Sequence, residues 1–247
     1  SGTVDELIRH SVSKLSHIHF VSNKTAARRL VQMGELESSI FTVGSADLDV
    51  LFSSELPTLE TVKTYYDISF DKYAVVLYHP VTTDFSNTKL NASQFVNSLL
   101  QDDSKYIVIF PNNDLGSTEI LEEYDKLTDN PRFRIFPSLR FEYFITLLKN
   151  AKFLIGNSSA GIHEAPYLGI PTINIGRRQE NRDLHTDTII HVPNSLNAIL
   201  NGIETAKNLQ INPKKRKSTQ KAATLFLQEL HSEEIWKIDQ QKQFRDI

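Results

Sequence analysis

From Tyr73 onward, short apolar runs alternate with amphipathic segments, and this alternation restricts the possible folds more than any other feature of the sequence. The apolar runs predict strands at residues 73–78, 105–110, 132–136, 152–155, 171–175 and 188–192. The amphipathic segments predict helices at residues 87–101, 116–128, 140–150, 160–168 and 195–208. Strands without a polar face that alternate with helices are typical of a parallel sheet covered on both sides. We therefore expect an α/β fold with a Rossmann-like, doubly wound parallel sheet, whose ligands bind at the carboxyl ends of the strands.

The region before this domain shows a shorter alternation. It predicts helices at 3–15 and 24–33 and strands at 18–22 and 40–43, and Thr3 with Glu6 forms a capping box for the first helix. Two strand–helix alternations are too few for a doubly wound unit. We expect three regions: a C-terminal remnant of a first Rossmann-like domain with a connector at 1–70, a complete nucleotide-binding Rossmann-like domain at 71–210, and a C-terminal helical tail at 211–247 with a helix at 212–231.

Composition excludes several functional classes. The 247 residues include no cysteine, so disulfides, thiolate metal sites and a cysteine nucleophile are excluded. The net charge of −3 gives no general attraction to nucleic acid or anionic membrane, and no apolar run approaches the length of a membrane span. The 8 histidines lack metal-ligand spacing, and the glycine-rich dinucleotide and P-loop signatures are absent. These features predict a cytoplasmic protein with no metal, no nucleic-acid partner and no membrane partner.

A turn of small and polar residues follows the predicted strand 152–155. Gly156–Gly161 (GNSSAG) precedes an amphipathic segment, which places the hydroxyls of Ser158 and Ser159 and several backbone N–H groups at the start of a helix. A helix start of this kind attracts phosphate. Arg178, after the next strand, can bind an anion in a bidentate manner. This arrangement favours a phosphate site, and an ordinary capped helix is the alternative.

Three acidic residues each have two interpretations. Glu164, one turn into the same helix, could accept two hydrogen bonds from ribose hydroxyls, or it could be a solvated surface acid. Asp5 and Glu6 lie beside Arg9 in the first predicted helix and could transfer protons. An acidic first turn that complements the helix dipole is the simpler interpretation of that pair.

Two polar residues directly follow predicted strands. His79 precedes Pro80, which favours an extended backbone and would project the imidazole into the cleft. There it could donate to a phosphate or transfer a proton, or it could be a loop histidine with a satisfied hydrogen bond. Asn112 could bind an amide or a hydroxyl of a ligand, whereas Asp114 and Ser117 fit the capping of the next helix better.

Four segments carry a resemblance to a known family. They are GTVDELIRHSVSKLSHIHF (2–20), HPVTTD (79–84), FPNNDLGS (110–117) and GNSSAGIHEAPYLGIPTINIGRRQENR (156–182). The last segment resembles the signature of the UDP-N-acetylglucosamine 2-epimerases, and the other three match the hydrolysing branch of that family. The resemblance covers nearly the whole chain. It implies a GT-B-like arrangement of two Rossmann-like domains with a cleft between them, of which this chain would lack most of the first domain.

The resemblance also implies roles for individual residues. The residues implied to bind UDP are Asn112, Leu139, Phe144, Ser158, Ser159, Glu164 and Arg178. The residues implied to be catalytic are Asp5, Glu6 and His79. The two serines and the arginine would hold the phosphates, and the glutamate would hold the ribose. The loop of Leu139 and Phe144 would border the uracil, and the histidine would contact the phosphate or the sugar near the leaving group.

The implied reaction is an elimination followed by a hydration. A base removes the C2 proton while UDP leaves C1, and water then adds at C1 while the proton returns to the other face of C2. No cofactor is needed. The partner would be a UDP-sugar, with N-acetylglucosamine and a diacetamido sugar equally compatible, and the protein would form a homodimer or higher homo-oligomer. This chain alone is expected to be inactive or nearly so. A GT-B glycosyltransferase and a non-catalytic UDP-binding module are the alternatives.

Overall fold

The computed structural model describes residues 5–180, 187–215, 220–239 and 241–242. Within these residues the chain forms two compact units. The larger unit contains residues 55–215, and the smaller unit contains the described residues before 55 and after 219. The described residues at the two ends of the chain therefore belong to the same unit.

The elements alternate along most of the chain. The strands are β1 (His19–Val21), β2 (Ile40–Thr42), β3 (Ala74–Leu77), β4 (Tyr106–Ile109), β5 (Phe133–Phe136), β6 (Leu154–Gly156), β7 (Thr172–Ile175) and β8 (Ile189–Val192). The α-helices are α1 (Asp5–Leu15), α2 (Lys24–Gln32), α3 (Ala46–Leu51), α4 (Leu59–Tyr65), α5 (Thr88–Gln101), α6 (Ser117–Tyr124), α7 (Phe141–Lys149), α8 (Ala160–His163), α9 (Ala165–Leu168), α10 (Leu196–Asn208) and α11 (Ala222–His231). The 3-10 helices are Glu37–Ser39, Thr82–Asn87, Asp125–Leu127 and Glu234–Lys237. None of the helices in the described ranges combines the length and the apolar character needed to cross a bilayer.

The larger unit is built on a six-stranded sheet in which every neighbouring pair is parallel. Its strand order is β5-β4-β3-β6-β7-β8, so β3, the first strand of this unit, lies in the middle. The chain proceeds outward from β3 to β5 and then returns to β6 on the other side of β3. The loops that leave β3 and β6 diverge, which creates a topological switch point between these two strands. The predicted parallel sheet is confirmed.

The hydrophobic core cluster of the larger unit lies on one face of this sheet, and Val75 and Ile107 on the other face are buried as well. Strands β3 and β4 are buried along their whole length, as expected for runs without a polar face. Helix α5 contributes Phe95 and Leu99 to the core, and helix α10 contributes Ile199 and Ile203. The ring of Phe95 stacks on Tyr78, directly after β3, with 4.6 Å between centroids. Helical packing on this side therefore reaches the start of the loop at the switch point.

Three helices differ from their predictions. The predicted helix 116–128 ends as α6 at Tyr124 and continues as the 3-10 helix Asp125–Leu127. The predicted helix 160–168 is divided at Glu164 into α8 and α9, because Pro166 in the first turn of α9 has no N–H with which to continue the hydrogen-bond ladder. The predicted helix 212–231 starts only at Ala222, since residues 211–215 are not helical. Residues 216–219, which hold half of the basic run, lie outside the described residues.

The smaller unit contains the parallel pair β1–β2, in which Phe20 lies beside Phe41. The ring of Phe226, from α11, packs edge-on against Phe20 at 4.6 Å between centroids. The backbone N–H of Ala223 donates to Asp49 Oδ2 of α3 at 3.1 Å. The C-terminal helix thus packs on this unit through both aromatic and polar contacts.

A buried carboxylate joins four segments of the smaller unit. Glu35 accepts hydrogen bonds from Lys14 Nζ at 2.8 Å and from Lys242 Nζ at 2.6 Å, and its Oε2 lies 3.1 Å from His19 Nε2. Burial alone would raise the pKa of Glu35, but these hydrogen bonds outweigh it and lower the pKa to about 2. Because its partners come from α1, β1 and the C-terminal segment, this side chain ties those segments together.

Helix α1 forms at its predicted position, but its apolar side chains are not buried in the unit. Leu7, Ile8, Val12 and Leu15 are all exposed. Thr3, which was predicted to cap this helix, lies outside the described residues. The amphipathic pattern therefore predicted the helix correctly, although its apolar side chains stay exposed in the described part of the chain.

Candidate functional site

Polar loops meet at the carboxyl edge of the larger unit's sheet, as the parallel strands require. His79 follows β3, Asn112 follows β4, Asn157 follows β6 and Arg178 follows β7. Since β3 is hydrogen-bonded to both β4 and β6, the first three of these loops leave adjacent strands. The switch point is therefore lined by residues from four separate stretches of the chain.

Gly156 allows β3 and β6 to approach closely at this point. It pairs with Leu77 and has φ +144°, a conformation that residues with a side chain rarely adopt. A Cβ atom built on Gly156 would lie 1.9 Å from the carbonyl oxygen of Leu77. That same oxygen accepts a hydrogen bond from the backbone N–H of Asn157 at 3.1 Å. Glycine is therefore required for the loop after β6 to leave the sheet against β3.

The side chain of Asn157 connects the loops after β6 and β3. Its Oδ1 accepts a hydrogen bond from the backbone N–H of His79 at 2.7 Å, and its Nδ2 donates to the carbonyl oxygen of His79 at 2.8 Å. Asn157 is only 1% exposed. The amide thus satisfies both backbone groups of His79 and fixes the position from which the imidazole projects.

The backbone carbonyl of Asn157 connects the same loops to the segment after β7. It accepts hydrogen bonds from Arg178 Nη1 at 3.2 Å and from Gln179 Nε2 at 2.7 Å. Gln179 is completely buried. The sequence pointed to Arg178, and to Asn157 only as part of the polar turn without a role of its own, while it gave no signal for Gln179, because amides that bind backbone groups leave no recognisable spacing in a sequence. Asn157 could have been noticed only through its place between Gly156 and the two serines.

The imidazole of His79 is held in one tautomer. Its Nδ1 accepts a hydrogen bond from the backbone N–H of Asn112 at 3.1 Å, so the proton of the neutral ring is on Nε2. Burial lowers the pKa of His79 to about 4, and the nearby positive charge of Arg178 contributes to the same shift. Near neutral pH this side chain is therefore a hydrogen-bond donor through Nε2 and not a cation.

Asn112 takes part in this arrangement mainly through its backbone. Its side-chain Nδ2 donates to Asp114 Oδ2, and its Oδ1 is buried without a hydrogen-bond partner among the described residues. The predicted capping of the next helix by Asp114 or Ser117 is wrong. The N-cap of α6 is Gly116, with φ +101°, and no side chain caps this helix. A side chain at Gly116 would crowd Pro80, so the loops after β3 and β4 pack closely here.

The two serines lie at the start of α8. Ser158 Oγ accepts a hydrogen bond from the backbone N–H of Ala160 at 3.3 Å, and Ser159 is the N-cap residue without a side-chain capping bond. Because α8 spans only 4 residues, the dipole of a long helix is not available there. An anion at this turn would depend on individual N–H and O–H donors. A Cβ on Gly161 would lie 2.4 Å from Thr172 Cγ2, so this glycine serves the packing of α8 on β7.

Glu164 lies at the junction between α8 and α9 and is only 8% exposed. The alternative interpretation of a solvated surface acid is therefore wrong. A buried carboxylate directly behind the serine turn has the two acceptor oxygens that a pair of neighbouring hydroxyls would need.

Leu139 and Phe144 lie beside β5, at the other end of this edge. Leu139 is partly buried in the loop after β5, and Phe144 is buried in α7. The loop is fixed by Arg140, whose backbone N–H donates to Tyr66 Oη at 3.1 Å and whose guanidinium lies 5.2 Å from the ring centre of Tyr65. Strand β5 is two strands from β3, or about 10 Å across the sheet. The structure therefore places these residues at the same edge without joining them to the Asn157 linkage.

The two N-terminal acids belong to the smaller unit. Glu6 accepts a hydrogen bond from Arg9 Nη1 at 2.9 Å, and its Oε1 lies 3.5 Å from His10 Nε2. Asp5 is the first residue of α1, and its side chain lies outside the described part of the structure. In the parts of the chain that the structure describes, no group of three or more His, Cys, Asp or Glu side chains could hold a metal ion.

The doubly wound parallel sheet, with its polar loops at the switch point, places the chain among the α/β proteins of the Rossmann-like, GT-B-like class. Solved structures agree. A Methanocaldococcus jannaschii UDP-GlcNAc 2-epimerase, solved with UDP-GlcNAc and UDP, superposes with a TM-score of 0.70 over 87% of this chain and 61% of that one, at 21% identity. A Neisseria meningitidis UDP-GlcNAc 2-epimerase bound to UDP-GlcNAc gives a TM-score of 0.66 over 88% of this chain and 62% of that one, at 14% identity. The predicted fold class is confirmed.

Sequence comparison identifies the family. The profile described as "UDP-N-acetylglucosamine 2-epimerase" matches residues 1–238, so the chain belongs to that family. A UDP-N-acetylglucosamine 2-epimerase of Neisseria meningitidis serogroup B is 44% identical over 100% of this chain and 66% of its own length. A UDP-N,N'-diacetylbacillosamine 2-epimerase (hydrolyzing) of Legionella pneumophila is 36% identical over 84% of this chain and 55% of its own length. The chain thus spans less than two thirds of the length of these relatives.

Proposed function

We propose that this chain carries the UDP-binding part of a hydrolysing 2-epimerase that acts on a UDP-amino sugar. The observation that carries the proposal is the hydrogen-bonded linkage through Asn157. It joins the backbone of His79, the guanidinium of Arg178 and the serine turn at one switch point. The 36% identity to a hydrolysing relative supports the choice of branch.

The arrangement suits a diphosphate leaving group. Arg178 supplies a positive charge, His79 a neutral N–H donor, and the turn at Ser158 and Ser159 supplies hydroxyl and backbone donors. As the bond from C1 to the UDP oxygen breaks, its electron pair leaves with UDP and negative charge develops on the phosphate. Donors already fixed in place stabilise that charge most strongly in the transition state. The buried carboxylate of Glu164 is proposed to accept hydrogen bonds from the ribose, and Leu139 and Phe144 to border the uracil.

The proton chemistry is assigned by resemblance. We propose that Asp5 or Glu6 takes part in removing the C2 proton and returning it to the opposite face. UDP leaves in the elimination, and water then adds at C1 of the glycal to give a free N-acetylmannosamine-type sugar. His79 acts at the leaving group and not as a proton acceptor at C2, because its Nδ1 is occupied by the backbone N–H of Asn112. A cytoplasmic location and a homo-oligomeric assembly stay predictions.

The test of the proposed UDP site is a calorimetric titration of the chain with UDP. Arg178→Ala removes a charge-assisted interaction worth about 1.5–3 kcal/mol, so affinity should fall about 10- to 100-fold. Arg177→Ala is a matched control. Its side chain is 84% exposed and pairs with Glu180 at 2.6 Å, so affinity should change less than about 2-fold. Equal affinities for the wild type and both variants would contradict the phosphate assignment.

The reaction class needs a separate experiment. We expect a protein that extends this chain to the full length of its relatives to turn over UDP-N-acetylglucosamine, or its diacetamido counterpart, to UDP and free sugar without an acceptor. This chain alone should show little turnover. Release of UDP only in the presence of an acceptor would identify a glycosyltransferase instead, while full activity of the isolated chain would contradict the assignment of part of the chemistry to other residues.

A further inference from the structure

Gln179 is a buried polar side chain that the proposed chemistry does not use. It is completely inaccessible, its Nε2 donates to the carbonyl oxygen of Asn157 at 2.7 Å, and its Oε1 has no hydrogen-bond partner in the described chain. Burial of a half-satisfied amide is costly. The geometry of the turn around Gln179 indicates which role offsets this cost.

Arg178 and Gln179 are the two central residues of a turn. The backbone N–H of Glu180 donates to the carbonyl oxygen of Arg177 at 3.0 Å, which closes the turn. The side chains of Arg177 and Glu180 pair on the outside, and both central side chains reach inward to the carbonyl of Asn157. The turn is therefore fixed on one side by an exposed ion pair and on the other side by two donors to a single oxygen.

The two inward donors are unequal. Gln179 makes the shorter hydrogen bond, at 2.7 Å against 3.2 Å for Arg178. The carbonyl oxygen of Asn157 has two lone pairs, and the side-chain amide of Gln179 satisfies one of them with its short hydrogen bond. Without it, the buried carbonyl would draw the guanidinium closer. A guanidinium that serves mainly a backbone oxygen is less well placed for bidentate binding of an anion.

We propose that Gln179 is a positioning residue for Arg178, which anchors the turn after β7 to Asn157 so that the guanidinium faces the diphosphate. The inference rests on the proposed UDP site. Gln179 itself does not touch the ligand, because it is fully buried, and its effect is transmitted through Arg178 and the turn.

A double-mutant cycle tests this assignment with UDP and uridine as ligands. Gln179→Leu and Gln179→Met both remove the donor, and methionine keeps the length of the side chain without adding a charge. Each should weaken UDP binding about tenfold, since the loss of one net hydrogen bond has this size. Uridine binding should change less than about twofold, because uridine has no phosphate for Arg178 to hold. In an Arg178→Ala background, both Gln179 variants should have no further effect on UDP.

Controls separate positioning from general damage. Glu180→Gln breaks the outer ion pair of the same turn and should leave UDP affinity nearly unchanged. Additive losses in the double mutants, or equal losses for UDP and uridine, would overturn the inference while leaving the UDP site intact. Unfolding of both Gln179 variants, measured by circular dichroism, would also overturn it in favour of a purely structural role. A wild-type chain that binds no UDP would remove the proposed function and this inference together.

Discussion

The buried carboxylate of Glu35 should make the stability of the smaller unit depend on pH. Its pKa is lowered from 4.5 to about 2 by hydrogen bonds from Lys14, Lys242 and His19, which outweigh the opposite effect of burial. Each tenfold change in proton affinity corresponds to about 1.4 kcal/mol, so the ionised carboxylate contributes about 3 kcal/mol to folding. Lys14 is 52% exposed, and solvent screening reduces this figure to about 2 kcal/mol.

The sign follows from the direction of the shift. The folded state holds Glu35 ionised at a pH where the unfolded chain would bind the proton. The contribution is therefore complete above pH 4.5 and is lost as the pH falls towards 2. Glu35→Gln removes the charge at every pH, and it should destabilise the protein by about 2–3 kcal/mol at pH 7. The stability difference between the wild type and this variant should shrink as the pH falls from 5 to 2.

Urea unfolding at a series of pH values measures this difference. The only tryptophan, Trp236, lies in the smaller unit and provides the fluorescence signal. Glu37→Gln is the matched control, because Glu37 is an exposed acid two positions along the chain. It should change stability by less than about 0.5 kcal/mol. The reasoning would be refuted if the Glu35 variant were as stable as this control, or if its deficit stayed constant between pH 5 and pH 2.

Three further predictions concern residues of the larger unit, and the comparison glycine of the first, Gly34, lies in the smaller unit. Gly156→Ala places a methyl carbon 1.9 Å from a backbone oxygen and should reduce stability by several kcal/mol or prevent folding. Gly34→Ala, with nothing nearer than 4.0 Å, should reduce stability by only about 1 kcal/mol through backbone strain, and thermal unfolding of both variants compares them. Asp102 accepts hydrogen bonds from Lys207, Ser104 and Tyr106, and these outweigh the effect of burial and lower its pKa. Asp102→Asn should therefore destabilise the protein by about 2 kcal/mol, whereas Asp103→Asn, at the exposed neighbour, should not. Nuclear magnetic resonance should show His79 as the Nε2–H tautomer down to about pH 5, because burial and Arg178 lower its pKa to about 4. Since the unfolded chain binds this proton near pH 6.5, the stability contribution of His79 is lost as the pH falls from 6.5 towards 4. Titration of His79 near pH 6.5 in the folded protein would contradict the geometry.

Much of the sheet could be predicted from the sequence. A strand covered on both faces has to be apolar along its length, so the runs around Val75 and Val108 are recognisable without any knowledge of their neighbours. The ends of such strands also predict where polar loops collect. This is why His79, Asn112 and Arg178 were selected correctly as residues of the carboxyl edge. Their roles towards a ligand stay proposals.

Other features depend on contacts that periodicity cannot encode. The division of the helix at Glu164 follows from Pro166. The apolar pattern on both sides of this proline predicted one continuous helix instead. Asn157 and Gln179 satisfy backbone groups of distant segments, which no spacing rule describes. The burial of Glu164 depends on how α8 and α9 pack, so the sequence alone did not decide between a ribose-binding and a solvated glutamate.

The hydrogen bonds between Asn157 and the backbone of His79 also have a consequence for how the protein folds. The two residues are 78 positions apart in the chain, and they meet only after β6 has inserted beside β3. A contact between such distant positions requires the closure of a long loop, which has an entropic cost. A nascent chain that has not yet added β6 therefore lacks the side chain that fixes the backbone of His79.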